Sequence, residues 1–197
     1  MNRTKAKKIG WADYTWNPVV GCTKGCDYCY ARRQAKRFKK KCGLCYYFTP
    51  HLHLSRLNDP DLGRKKLARI FLGSMGELFD PDDRIITGTT HRVPARSAVT
   101  LVLQHVAGHP RHTFIILTKR PDRAKEYDFP PNVWLLTSIE NQPTADERIP
   151  QLLECKASVL GVSYEPAHGP VDYENVDGDD HFFWDVLRGV AGPNTII

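Results

Sequence analysis

The chain has 197 residues, 41% of them hydrophobic and 25% charged, a composition that fits a soluble globular protein with one substantial core. No run approaches the ~18 apolar residues of a membrane span, and the basic start MNRTKAKKIGWADYTW is followed by no apolar h-region, which argues against a secretory signal and points to the cytoplasm. The net charge of +6 is uneven: residues 1–45 hold 12 Lys/Arg against 2 acids (+10), and the remainder holds 16 against 20 (−4).

Taken in order, YTWNPVV from Tyr14 to Val20 is aromatic and β-branched and predicts a first strand ending at Gly21, with Pro18 disturbing its middle. GCTKGCDYC follows at once, placing Cys22, Cys26 and Cys29 in a C-x3-C-x2-C spacing. In a reducing compartment six cysteines are not evidence for disulfides, and three thiols on one short loop point to a metal. Closed structural zinc sites take four ligands and iron–sulfur clusters are usually held by four cysteines, so three leave one position open. The plainer alternative is a zinc loop that borrows its fourth ligand elsewhere.

YARRQAKRFKK then predicts a helix, and 41–64 reads as an irregular excursion rich in His, Pro and aromatic residues. Within it Cys42 and Cys45 form a second C-x2-C, followed by His51 and His53, residue types that fit a second metal site. RIFLGS from Arg69 predicts a second strand, and 80–94 consists mostly of turn formers. Ala98, Val99, Val102, Leu103 and Val106 recur at helical spacing before Gly108 and Pro110. TFIILT from Thr113, VWLLTSI from Val133 and ASVLGVSY from Ala157 predict three further strands. Pro121 suits a first helical turn, and Thr144 with Glu147 predicts a capping box for a helix to about Leu153, interrupted at Pro150. Cys155 reads as a small core residue, and Phe182–Leu187 as a sixth apolar element.

Strands alternating with helices imply βαβ units and a mostly parallel sheet, either open or a partly closed barrel, in a single domain of 1–197. Ligands gather at the carboxyl ends of such strands. The segments there, GCTKGCDYC, SMGELFD, TKRP, SIENQ and YEPAHGP, are dense in polar or ligand-capable residues.

The cysteine triplet with Tyr28 before its last member, together with TWNPVVGC, CDYCYARR, PHLHLSRL, RIFLGSMGELF, HTFIILTKRP, NVWLLTSIENQ, ADERIP and SYEPAHGPVD, resembles the phage-associated, three-cysteine, radical-SAM-like proteins of uncharacterised function. The resemblance implies a partial (β/α)6 barrel, and 173–197 departs from the family pattern, so that a barrel truncated after the fifth or sixth strand is expected. It implies a 4Fe-4S cluster on Cys22, Cys26 and Cys29, and S-adenosyl-L-methionine (SAM) as cosubstrate, cleaved reductively to a 5′-deoxyadenosyl radical. It further implies SAM contacts from Tyr28, Ser74, Gly76, Glu77, Ser138, Glu140 and Asn141, a substrate side at Lys119, Arg120 and Glu165, and a methyltransferase-like partner protein. For most of these residues an ordinary reading competes: Glu77 as a loop acid, Asn141 as a turn former, Lys119 and Arg120 as solvated charges. A second function, drawn from the residues alone, is a metal-stabilised module without catalysis that binds nucleic acid or a partner protein through the basic amino-terminal quarter. The plainer account of that quarter is a solvated helix face.

Overall fold

The computed structural model describes residues 1–3, 10–39, 41–59, 62–63, 66–80, 84–87, 91–176 and 195–196. The chain is a mixed α/β protein whose larger sheet is mostly parallel. It divides into two compact units, 1–114 and 115–197.

In the first unit β1 (Asn2–Arg3) lies antiparallel to β2 (Tyr14–Trp16), and β2 runs parallel to β5 (Arg69–Leu72) with Trp16 opposite Leu72. The stretch expected as one strand, Tyr14 to Val20, is therefore corrected to two. Pro18 has no N–H for a ladder, and the Asn17 side chain is drawn sideways, accepting from Ser74 Oγ at 3.1 Å and Met75 N at 2.9 Å. Beyond this break β3 (Val19–Val20) enters a separate four-stranded sheet, antiparallel to β4 (His51–Leu52). β4 runs parallel to β6 (Arg84–Thr87), which is antiparallel to β7 (His91–Pro94). The turn-like reading of 80–94 is corrected accordingly: the β-branched residues Ile85, Ile86, Thr87 and Val93 carry two strands.

Helix α1 (Tyr30–Ala35) buries Ala31 and Ala35, one turn apart, and passes into a single 3-10 turn, Lys36–Phe38. The excursion after it is ordered, with α2 (Gly43–Tyr47) before β4 and α3 (Leu54–Leu57) after it. Helix α4 (Ala95–Ala107) buries the five residues its spacing singles out.

In the second unit β8 (Thr113–Thr118), which begins at the boundary, neighbours β9 (Val133–Ile139). β9 is parallel to β10 (Val159–Tyr164), and β11 (Thr195–Ile196) is parallel to β10. Pro121 opens the short helix α5 (Pro121–Ala124) as expected. Helix α6 (Gln142–Leu153) packs Ala145 and Ile149 against Ile139 and Val176, and Pro150 lies inside it. Its start is corrected by three residues: Asn141 is the cap, bonded reciprocally with Thr144, rather than Thr144 with Glu147. The element expected at Phe182–Leu187 lies outside the described residues. Among those described, no helix is long and apolar enough to cross a membrane.

Leu135 on β9 is fully buried and its neighbour Leu136 only half so. Leu135→Ala is expected to cost ~2–5 kcal/mol, read as a lower urea midpoint at unchanged slope, with a smaller loss for Leu136→Ala. Equal midpoints for the two variants would contradict this packing.

Candidate metal centres

The three-cysteine loop is held by backbone contacts that only glycine permits. Gly21 has φ +96°, and a Cβ there would lie 2.3 Å from the Thr49 carbonyl oxygen. A Cβ on Gly76 would lie 2.7 Å from the Gly21 carbonyl oxygen. Gly21 and Gly76 form a parallel bridge, with Gly21 N donating to Met75 O at 3.0 Å and Glu77 N to Gly21 O at 3.1 Å. The loops that leave β3 and β5 thus run side by side. Gly76 and Glu77 are thereby set beside Gly21 and the start of the cysteine loop, while Ser74 Oγ is bound to Asn17.

Other groups hold the loop from both sides. Thr23 donates from N at 2.7 Å and from Oγ1 at 2.8 Å to the buried carboxylate of Asp80. Arg32 donates to Cys22 O at 3.4 Å and sits over the Phe48 ring, and Arg33 donates to Tyr28 O at 3.2 Å. Part of the basic helix is therefore committed to the loop. Cys22 Sγ accepts from Lys24 N at 3.3 Å, and Cys29 Sγ caps α1 by accepting from Arg32 N at 3.4 Å. Cys22 and Cys29 pack with Met75 on one small core of Ala31, Ala35 and Phe48. Burial pushes the Cys22 thiol up to about 12, against the Lys24 N–H bond and helped by the charges of Glu77 and Asp80. Glu77 is itself buried, its Oε1 accepting from Phe79 N at 3.2 Å.

Four other ligand-capable side chains converge. Cys42 is the cap of α2 and its Sγ accepts from Cys45 N at 3.3 Å, so both thiols share the first turn. His51 and His53, two apart along extended chain, share a face. The four ligand atoms all lie within 4.8 Å of one another, with Cys45 Sγ 3.4 Å from His51 Nε2 and 3.2 Å from His53 Nε2. His51 Nδ1 is 2.7 Å from the Thr49 carbonyl oxygen, which sets Nδ1 as the donor and turns Nε2 toward the cluster. Burial raises Cys45 to about 11, and burial with the Arg56 charge lowers His53 to about 4; His51 is lowered too, mainly by burial. A cavity of about 300 Å³ borders Cys45, Met75, Asn17 and Arg56; its lining includes none of Cys22, Cys26, Cys29 or Glu77.

The remaining candidates lie in the second unit and are engaged locally. Glu140 is buried between two cations, Lys119 at one oxygen and Arg148 Nη1 at the other, 2.9 Å away. Arg148 also donates to the carbonyl of buried Ser138 at 2.6 Å. Asn141 caps α6. Arg120 N donates to Thr118 Oγ1 at 2.9 Å, and its Nε is buried without a hydrogen-bond partner. Glu165 is exposed, with its N–H on Ile139 O at 3.1 Å. Arg148 is the participant that sequence reading missed. Its only signal is an arginine among the buried positions of α6.

Fold and sites together define a mixed α/β protein whose first unit brings Cys42, Cys45, His51 and His53 within reach of one metal ion; among the described residues Cys22, Cys26 and Cys29 form no such group. The chain belongs to the family described as a protein of unknown function (DUF5131), whose model matches residues 6–195. No radical SAM family matches, and the family resemblance drawn from the motifs is corrected to this membership. Among curated proteins and among solved structures nothing matches.

Removing Glu140 strips Arg148 of its buried partner, whereas removing Lys119 leaves the Glu140–Arg148 pair intact. Glu140→Ala is therefore expected to cost ~3–5 kcal/mol and Lys119→Ala clearly less, measured by urea denaturation; the reverse order would contradict the pairing. Cys155 is buried, and burial followed by the Glu154 charge pushes its thiol up to about 12 from 9.0. Its preference for the neutral form therefore stabilises the fold fully below about pH 9 and is lost as pH rises toward 12. At about pH 8 iodoacetamide is expected to leave Cys155 unlabelled in the native chain and to label it in urea, read by peptide mass spectrometry.

Proposed function

We propose that Cys22, Cys26 and Cys29 hold a 4Fe-4S cluster and that the chain is a SAM-cleaving radical enzyme. The finer fold that this reading calls for is a partial (β/α)6 barrel. The observation that carries it is the Gly21–Gly76 bridge, which sets the start of the three-cysteine loop beside the loop of Glu77 where two strands end.

The donor set fits such a cluster. Three thiols share one loop, and N–H···S bonds from Lys24 and Arg32 are of the kind that tune cluster potentials. When bound, the cluster would supply an open iron for the SAM amino and carboxylate groups and the electron that breaks the sulfonium bond. The chain's own residues have the remaining tasks. Asp80 and Arg32 fix the loop's shape through Thr23 and the Cys22 carbonyl. Glu77 supplies a buried carboxylate suited to the SAM ammonium, and the core of Ala31, Ala35, Phe48 and Met75 shields the sulfurs from water.

A second reading, a metal-stabilised binding module without redox chemistry, is favoured by the exposed Arg32, Arg33, Lys36 and Arg37 along α1 and the turn after it. For that reading, RNA or DNA affinity should fall steeply with added salt.

Anaerobic reconstitution with iron and sulfide separates the two. The enzyme reading expects a broad visible absorbance that Cys26→Ala abolishes, 5′-deoxyadenosine on adding dithionite and SAM, and SAM affinity weakened about tenfold in Glu77→Gln. Zinc uptake alone, with no visible band and no 5′-deoxyadenosine, would sink it.

A further inference from the structure

We infer that Cys42, Cys45, His51 and His53 bind one zinc ion in a closed tetrahedral site, and that this ion is a clasp positioning the loop that begins at Gly21. The inference stands on its own ligands and does not rest on the cluster reading above.

Bond lengths of about 2.3 Å to sulfur and 2.0–2.1 Å to nitrogen imply ligand–ligand edges of about 3.3–3.8 Å in a tetrahedron. Four of the six separations lie near or below those edges, 3.7 Å for Cys42 Sγ to His51 Nε2, 3.4 and 3.2 Å from Cys45 Sγ to the two imidazoles and 2.8 Å between the imidazoles, and all six are within 4.8 Å, so small side-chain shifts complete the tetrahedron. Two cysteines with two histidines also hold Rieske two-iron clusters, but there the cysteines and histidines sit on different irons. Cysteine–histidine distances this short leave room for a single ion. Cys45 and His51 are each 2% exposed, so the site is closed rather than open to a substrate. The supporting bonds are those of a metal site as well: His51 Nδ1 to the Thr49 carbonyl fixes the ligating tautomer, and Cys45 N–H supports the Cys42 sulfur.

The clasp follows from what the ligand loop touches. Val20 pairs with His51 and Val19 with Leu52, and His53 N donates to Pro18 O at 2.8 Å. Cys22 N donates to Phe48 O at 3.3 Å. The Thr49 carbonyl that orients His51 is the same group against which Gly21 packs. Both strands here are two residues long, too short to hold a register by themselves. An ion that joins 42–45 to 51–53 fixes the surface on which 18–22 lies.

The full chain, prepared without added iron, should carry one zinc per chain by elemental analysis. Replaced by cobalt, it should show the visible d–d bands of a tetrahedral thiolate site. Cys42→Ser and His53→Ala, both at half-buried positions, should weaken cobalt binding by about 100-fold or more, while Cys155→Ala retains it. Alkylation of Cys22, followed by peptide mass spectrometry, should be at least about tenfold faster in Cys42→Ser than in the zinc-loaded chain. Failure of the wild-type chain to bind zinc or cobalt stoichiometrically, or cobalt bands unchanged in both ligand variants, would overturn the site. Equal Cys22 alkylation rates would overturn the clasp. Zinc and cobalt binding do not depend on whether an iron–sulfur cluster forms, since no variant removes Cys22, Cys26 or Cys29, and the alkylation rates are compared on chains shown by elemental analysis to be free of iron.

Discussion

Three backbone segments meet at Gly21 with no side chain between them. Its carbonyl accepts Glu77 N–H, its amide donates to Met75 O, and its Cα faces Thr49 and Pro50 too closely for any Cβ. Gly76 is held to the same rule from the other side. This contact joins the loop after β3, the ligand loop before β4 and the loop after β5, so every candidate ligand of the first unit depends on it. A methyl group at Gly21 or Gly76 would have to displace main chain, not a flexible side chain, and the positive φ at Gly21 adds strain of its own.

The two units treat buried charge differently. In the second, Glu140 is neutralised within the protein by Arg148 and Lys119, and its burial needs nothing from outside. In the first, beside the buried carboxylates of Glu77 and Asp80, there are thiols and imidazoles pushed toward their neutral forms: Cys22 and Cys45 upward, His51 and His53 downward. Such groups contribute little to a core as neutral side chains. The thiols become strong donors once a cation displaces their protons, and the neutral imidazoles already offer a lone pair.

The regular elements were legible because each rests on local signals. β8, β9 and β10 are apolar β-branched runs bounded by turn formers, and α4 shows its buried face at helical spacing. The misses share a cause, which is a partner that local patterning does not show. Tyr14 to Val20 reads as one strand until Asn17 is seen bound to Ser74 and Met75, fifty-odd residues on. The strands at 84–87 and 91–94 are hidden among turn formers, and β4, which β6 pairs with, is only two residues long. Residue types and spacing announced both cysteine clusters, but convergence of Cys42 and Cys45 with His51 and His53 needs the turn at Phe48, whose φ of +58° a non-glycine residue rarely adopts. Arg148 was out of reach for the same reason, since only the β9–α6 junction brings it to Glu140.

Phe48 links both clusters physically. Its ring lies under Arg32 and in the core beside Cys22 and Cys29, and its carbonyl accepts the Cys22 amide. Its own amide bonds to Cys45 O, closing α2 immediately after the second thiol. The left-handed turn there sends the chain from the thiol pair to the imidazole pair, and the same residue walls the three-cysteine loop. Phe48 is thus one buried side chain, with two backbone bonds, in contact with both groups of cysteines.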